Sequence, residues 1–384
     1  MSEPTLARVI PLVDHRAYRM PLPADDNGAW HSTGAVQDSL GRALRDLRIS
    51  VTDRCNFRCA YCMPKDIFGK DHKYLEQDAL LNFEEITRLA RQFVGLGVQK
   101  IRLTGGEPLL RKNVETLLEQ LAQLRTPEGN SIDLTMTTNG SLLSRKAKAL
   151  KAAGLNRVTV SLDGLNDEVF RRMNDVDFPV GKVLEGIEAA QAAGISNIKV
   201  NMVVKRGVND HEVVPMAKFF HGTGITLRFI EFMDVGATNG WRLDDVVPSE
   251  EIVQRVSAEL PLVPLFANTV GETAQRFGYV GTDGQHERRL GEMGVISSVT
   301  KAFCSDCNRA RLSTDGRVFL CLFGSEGYDL KALLRQPETV PDAQLRRVIG
   351  SIWRGRDDRY SELRGARAVQ TSHSVRPEMS YIGG

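Results

Sequence analysis

The stretch TDRCNFRCAYCMP, residues 52–64, sets Cys55, Cys59 and Cys62 in the spacing C-x3-C-x2-C. Electron-transfer iron–sulfur clusters take four cysteines, and structural zinc sites are four-coordinate. A set of three leaves one metal position open, the mark of a site that binds and reacts. Zinc is the competing reading. It would pair C-x2-C with a second close pair or with histidines, and the seven histidines here are scattered. A Cys–His nucleophile would leave the other spaced cysteines redundant.

The other cysteines form a second set: Cys304 and Cys307 in CSDC, then Cys321 after thirteen intervening residues. On spacing alone this set fits zinc about as well as iron–sulfur. A chain of 384 residues, 42% hydrophobic and 26% charged, buries a sizeable core without disulfides. Clustered cysteines in such a chain read as ligands or catalysts. A net charge of +2 gives no reason to expect nucleic acid or a membrane surface as partner. No apolar run approaches the roughly 20 residues that span a bilayer. The start, MSEPTLARVIPLVDHRAYRMPLPADDNG, lacks the pattern of a secretory signal or transit peptide. Residues 1–45 read as a mostly irregular tail, and a cytoplasmic location follows by default.

Outward from the cysteine stretch, one pattern recurs. A helical segment ends at Gly97, Gly154, Gly194 or Gly224, where a left-handed cap is needed, and a Val/Ile/Leu-rich run follows. The spacing predicts strands near 47–52, 100–104, 132–137, 157–162, 197–204 and 226–232, with helices between them. Such alternation makes a parallel sheet, and six units are too few for a closed eight-fold barrel. Active-site groups then lie just past the carboxyl ends of strands. Thr104-Gly105-Gly106-Glu107, Thr137-Thr138-Asn139, Ser161-Leu162-Asp163, and Glu231 with Met233 fall there. Each alone is more often turn chemistry; together they mark one face. Beyond about residue 240 the pattern weakens. Asp315-Gly316 between two β-like runs signals a hairpin that would return Cys321 toward Cys304 and Cys307.

C-x3-C-x2-C with Tyr61 before the last cysteine, followed by Gly105-Gly106-Glu107-Pro108 after the second strand, resembles radical S-adenosylmethionine (SAM) enzymes. LRISVTDRCNFRCAYCMP, KIRLTGGEPLLRK, TTNG, SLDG, LRFIEFMD, FCSDCNRARLS, LCLFG and the terminal SYIGG are similar to the GTP 3',8-cyclase family of molybdenum cofactor biosynthesis, over roughly residues 42–384. The resemblance implies a partial (βα)6 TIM-like barrel over residues 46–240. A C-terminal region, 241–384, would close it with a second iron–sulfur cluster and a Gly-Gly tail.

It further implies two [4Fe-4S] clusters, one on Cys55, Cys59 and Cys62 and one on Cys304, Cys307 and Cys321, each keeping an iron open. SAM would meet Tyr61, Gly106, Ser161 and Met233. GTP would meet Arg48, Arg102, Thr137, Lys199, Arg309, Ala310 and Arg311. Arg309, Arg311, Gly383 and Gly384 would act in catalysis. Read alone, Arg48 or Lys199 is a charge beside a strand and Met233 a packing residue; with no Walker motif present, the nucleotide rests on the resemblance. An external electron donor, a homodimer, and handoff of product to a cyclic pyranopterin monophosphate synthase also follow from the family. A different radical SAM enzyme with an auxiliary cluster, acting on peptides, stays open at this stage. So does a non-catalytic metal or electron-transfer protein.

Overall fold

A computed structural model describes residues 20–23, 35–367 and 376–383. Runs of branched apolar residues bounded by turns form six strands: β1 (Asp46–Ser50), β2 (Lys100–Thr104), β3 (Asp133–Thr138), β4 (Arg157–Ser161), β5 (Lys199–Val204) and β6 (Thr226–Glu231). They pair in parallel and in chain order, each within two residues of its predicted span. The crossings are α1 (Phe83–Gly95), α2 (Val114–Ala122), α3 (Leu143–Ala152), α4 (Asp167–Asn174), α5 (Val180–Ala192) and α6 (Val213–Phe220). α1 opens with a capping box between Asn82 and Glu85. Gly97, Gly154, Gly194 and Gly224 take φ of +112°, +101°, +76° and +76°, as their places after helices require.

Alternation along the strands sorts the side chains. Leu47, Ile49, Ile101 and Leu103 join the buried core, while Arg48 and Arg102 line an interior cavity.

The C-terminal half adds α7 (Ser249–Ser257), β7 (Leu262–Leu265), β8 (Gln275–Tyr279), β9 (Glu292–Ile296), β10 (Arg309–Leu312), β11 (Arg317–Phe319) and β12 (Tyr328–Asp329). It ends in α8 (Lys331–Leu334), α9 (Asp342–Arg354), α10 (Tyr360–Arg367) and α11 (Met379–Ile382). β9 extends the sheet beside β6 and β10 extends it beside β1, both in parallel. The strand order runs from β12 to β7 without rejoining, so the sheet is an open, partial barrel. β10 and β11 form the hairpin expected at Asp315-Gly316.

Residues 36–45, inside the segment expected to be irregular, make a turn bridged at Gln37 and Ala43, with Val36 and Leu44 buried. Among the described residues no helix is long and apolar enough to cross a membrane.

Candidate active site

After β1 the chain leaves the sheet as the first cysteine loop. The loop is pinned to the end of β2, where Gly106 N–H donates to the Thr52 carbonyl and Glu107 N–H to that of Arg54, both at 2.8 Å. So close an approach excludes side chains: a Cβ on Gly105 or Gly106 would collide with those same carbonyls. Glu107 is fully buried and joins the ends of β2 and β3. Its carboxylate accepts from Leu109 N–H at 3.0 Å and from the Thr138 hydroxyl and Asn139 N–H at 2.7 Å each. Burial outweighs those donors and pushes the Glu107 carboxyl up to about 7.

Burial, with Glu107 adding to it, raises the Cys55 thiol to about 11. Cys59 and Cys62 are raised too, by burial first and then by Asp163 and Cys55 respectively. The Tyr61 hydroxyl donates to Asp163 Oδ2 at 2.7 Å, and Asp163 Oδ1 accepts from Val203 N–H at 2.9 Å. Tyr61, Gly106, Ser161 and Met233 line the same cavity as the first three cysteines.

The second set lines that cavity as well. Cys304 and Cys307 flank one tight turn, closed by Cys307 N–H to the Cys304 carbonyl at 3.2 Å, and Cys321 comes from the turn after β11. At Cys307 burial pushes up, but Arg309 and Arg356 together bring the thiol down to about 6. All six cysteines are free thiols. Among the described residues no three Cys, His, Asp or Glu side chains converge on a single ion. A four-iron cluster takes its thiolates on separate irons, so a spread set fits it better than zinc. Bound metal also supplies the positive charge that ionises buried thiols.

The remaining wall is basic. Strand register sets Arg48 beside Arg311 on one side and Arg102 on the other. Arg309, two residues before Arg311, faces the same way, and Arg228 on β6 also lines the cavity. Burial, then Arg311 and Arg309, hold the Arg48 guanidinium well below its ordinary value. Burial is also the first cause that brings Arg228 and Arg311 down to about 10. Arg102 donates to the hydroxyls of Thr137 and Thr159 at 3.0 and 3.1 Å, and Arg228 meets Glu272 at 3.2 Å. The buried Nε atoms of Arg48, Arg102, Arg228 and Arg309 have no partner among the described residues. Buried cations with unmet donors are costly, and among the described residues Glu272 is the one carboxylate paired with this row, so the wall fits a polyanion.

Three predicted residues stand apart from the cavity wall. Lys199 sits at the amino end of β5; burial, then Arg228 and Arg157, lower its ammonium to about 7. The Ala310 methyl lies in the hydrophobic core, on the face of β10 opposite its arginines. Gly383 docks its carbonyl on Arg311 Nη1, and Gly384 lies outside the described residues. The sequence reading missed Arg228 and the Tyr61–Asp163 pair. Arg228 sits between Leu227 and Phe229, so alternation alone could have pointed it inward. The pair is 102 residues apart and had no local signal.

Residues 49–220 match the Radical SAM superfamily, and residues 225–362 match the family described as Molybdenum Cofactor Synthesis C. The chain is 51% identical over 372 residues to GTP 3',8-cyclase of Acidothermus cellulolyticus, covering 92% of this chain and 100% of that protein. The GTP 3',8-cyclase of Xanthomonas campestris is 49% identical over 354 residues, covering 92% and 98%. That of Staphylococcus epidermidis is 45% identical over 350 residues, covering 91% and 99%. Among solved structures, Streptococcus suis SuiB bound to S-adenosylmethionine gives a TM-score of 0.52 at 14% identity, over 86% of this chain and 69% of that one, a likeness of fold alone. With such identity along nearly the whole length of its relatives, the chain belongs to the GTP 3',8-cyclase family of radical SAM enzymes.

Proposed function

We propose that this chain converts GTP to (8S)-3',8-cyclo-7,8-dihydroguanosine 5'-triphosphate, the first step of molybdopterin biosynthesis. One observation carries the reading beyond family membership. Two sets of three thiols and a row of buried arginines open into a single cavity of about 290 Å³.

Cys55, Cys59 and Cys62 would hold one [4Fe-4S] cluster, with Tyr61, Gly106, Ser161 and Met233 around SAM. Cys304, Cys307 and Cys321 would hold a second cluster facing the guanine. Given an electron from an external donor, the first cluster and SAM would supply, on cleavage of the C5'–S bond to methionine, a 5'-deoxyadenosyl radical able to take hydrogen from C3' of the ribose. Joining C3' to C8 of the same nucleotide leaves an unpaired electron on the base, so one electron from a reductant and one proton are needed to give the 7,8-dihydro product, and ribose and base must be held in one fixed relation throughout. Arg48, Arg102, Arg228, Arg309 and Arg311 would grip the triphosphate through charge-assisted hydrogen bonds. Lys199, set back from the wall but close enough to feel Arg228 and Arg102, would add its charge. Thr137, already bonded to Arg102, orients that guanidinium. Arg311 lies near both Cys307 and Cys321 and reaches the Gly383 carbonyl. It and Arg309 are therefore our choice for stabilising charge late in the reaction.

The test is anaerobic. Protein reconstituted with iron and sulfide receives dithionite, SAM and GTP, and products are read by mass spectrometry. 5'-Deoxyadenosine and the cyclised nucleotide are expected together, both requiring GTP. Deoxyadenosine without a nucleotide product would remove GTP as the substrate.

A further inference from the structure

Behind the second cysteine loop lie three buried charges. The Asp38, Arg42 and Arg356 side chains are 0%, 2% and 1% exposed. Asp38 and Arg42 belong to the turn before β1, and Arg356 follows α9, 318 residues from Asp38. Taking ions out of water costs several kcal/mol apiece, so a buried set needs close, satisfied geometry.

Most of that geometry is present, with only Arg42 Nη2 and Arg356 Nε left without a hydrogen-bond partner among the described residues. Asp38 Oδ1 accepts from the N–H groups of Leu40 at 3.0 Å and Arg42 at 2.8 Å. Its Oδ2 accepts from Arg42 Nε at 2.6 Å and Arg356 Nη1 at 3.4 Å. Each guanidinium then reaches a main-chain carbonyl of a cysteine. Arg42 Nη1 donates to the Cys304 carbonyl at 2.9 Å, and Arg356 Nη1 donates to the Cys307 carbonyl at 2.6 Å. The brace is itself held: Trp353 Nε1 donates to the Arg42 carbonyl at 3.0 Å, and the Ser39 hydroxyl donates to that of Arg356 at 2.6 Å.

We infer that Asp38, Arg42 and Arg356 are positioning residues for the second cysteine set, fixing the direction in which Cys304 and Cys307 present their sulfurs. The inference rests on the reading that this set holds a second cluster. Cys321 arrives from the β11 turn, and neither arginine bonds its backbone among the hydrogen bonds described above. The brace therefore governs two ligands of three. The open iron would keep its aim at the guanine through a brace of which only Arg356 reaches the cavity wall.

Two measurements test this. Arg356→Gln and Asp38→Asn each break one arm, and Arg356→Lys keeps the charge but loses the planar fork. In the full chain without clusters, amide hydrogen exchange across residues 303–310 is expected to quicken about ten-fold in the first two variants, the size of one lost charge-assisted hydrogen bond. Exchange in α1 and β3 should stay unchanged, and Arg356→Lys should recover part of the protection.

The second arm uses protein whose Cys55, Cys59 and Cys62 are alanine. After reconstitution and reduction, electron paramagnetic resonance reads the remaining cluster with and without GTP. The brace variants are expected to shift that spectrum and to blunt its response to GTP. Wild-type exchange in folded Arg356→Gln and Asp38→Asn would overturn the inference, as would wild-type spectra. If the parent protein holds no iron on its C-terminal cysteines, the two-cluster reading fails instead, and the exchange measurement still decides whether the brace exists.

Discussion

The two cysteine-bearing ends of the cavity share a ligand count and differ in the charge that predominates around it. At the first end carboxylates stand near the thiols: Glu107 by Cys55, Asp163 by Cys59 and Glu378 by Cys62. At the second end Arg309 and Arg356 outweigh burial at Cys307, with Arg311 close by, while burial and then Asp358 raise Cys321 to about 11. Cluster binding alone demands no such contrast. The proposed guests would: SAM carries a sulfonium cation, and GTP carries a triphosphate. On the proposed assignment, electrostatics rather than cysteine spacing would divide the cavity between them.

If that division is real, damage at one end should spare the guest of the other. We predict the largest effect for Arg311→Ala. Removing one buried cation from a polyanion site should weaken GTP binding by about 100-fold or more, while SAM binding changes little. Calorimetric titration with each ligand checks it. An equal loss for SAM would mean that the two ends are not electrostatically separate.

The C-terminal segment spans both ends. The backbone of Ser380 hydrogen-bonds Cys62, the Tyr381 hydroxyl donates to Asp315 at 2.6 Å, and the Gly383 carbonyl meets Arg311. Deleting Gly383 and Gly384 should therefore uncouple the ends. Deoxyadenosine should still form at a reduced rate, and cyclised nucleotide should be lost. The ratio of the two products under single turnover is the measurement, and full cyclisation by the truncated chain would dismiss a role for the tail. A smaller effect belongs to the acidic end. Asp163→Asn removes the charged acceptor of the Tyr61 hydroxyl, a bond of about 1.5–3 kcal/mol. SAM affinity should fall about ten-fold with GTP affinity unchanged, read by equilibrium dialysis. Equal losses for both ligands would count against the division.

Much of this contrast was legible in sequence at one end and hidden at the other. The β1–β6 strands showed because buried parallel strands are short apolar runs after glycine-capped helices, a purely local pattern. The cysteine sets and Gly105-Gly106 showed for a related reason: ligand spacing and close backbone approach are both written in adjacent residues. After residue 240 the strands pair with partners far away, β9 with β6 and β10 with β1. No local period announces such pairing. The brace of Asp38, Arg42 and Arg356 was invisible for the same cause, and the turn that carries two of its three residues read as part of a mostly irregular tail. Ala310 shows strand alternation acting inside a motif. It sits between Arg309 and Arg311, yet the strand turns its side chain into the core.

The finest probe of the basic end is the proton on Lys199. Burial is the main cause that lowers its ammonium to about 7; Arg228, Arg157 and Arg102 add to the lowering, and Glu272 opposes it. Below that pH the side chain is charged, and above it neutral. A triphosphate bound nearby favours the charged form and raises the value again. GTP binding at pH 8, where the free nucleotide has already lost its last phosphate proton, should therefore take up close to one proton. At pH 6 Lys199 is already charged and contributes no uptake. Affinity should then weaken with rising pH by at most about ten-fold per unit, the limit for one linked proton. Titration calorimetry in buffers of different ionisation enthalpy counts the protons directly, and Lys199→Met should abolish the uptake at pH 8. Uptake that survives in Lys199→Met would place the proton elsewhere, and Lys199 would lose its place among the groups that hold the triphosphate.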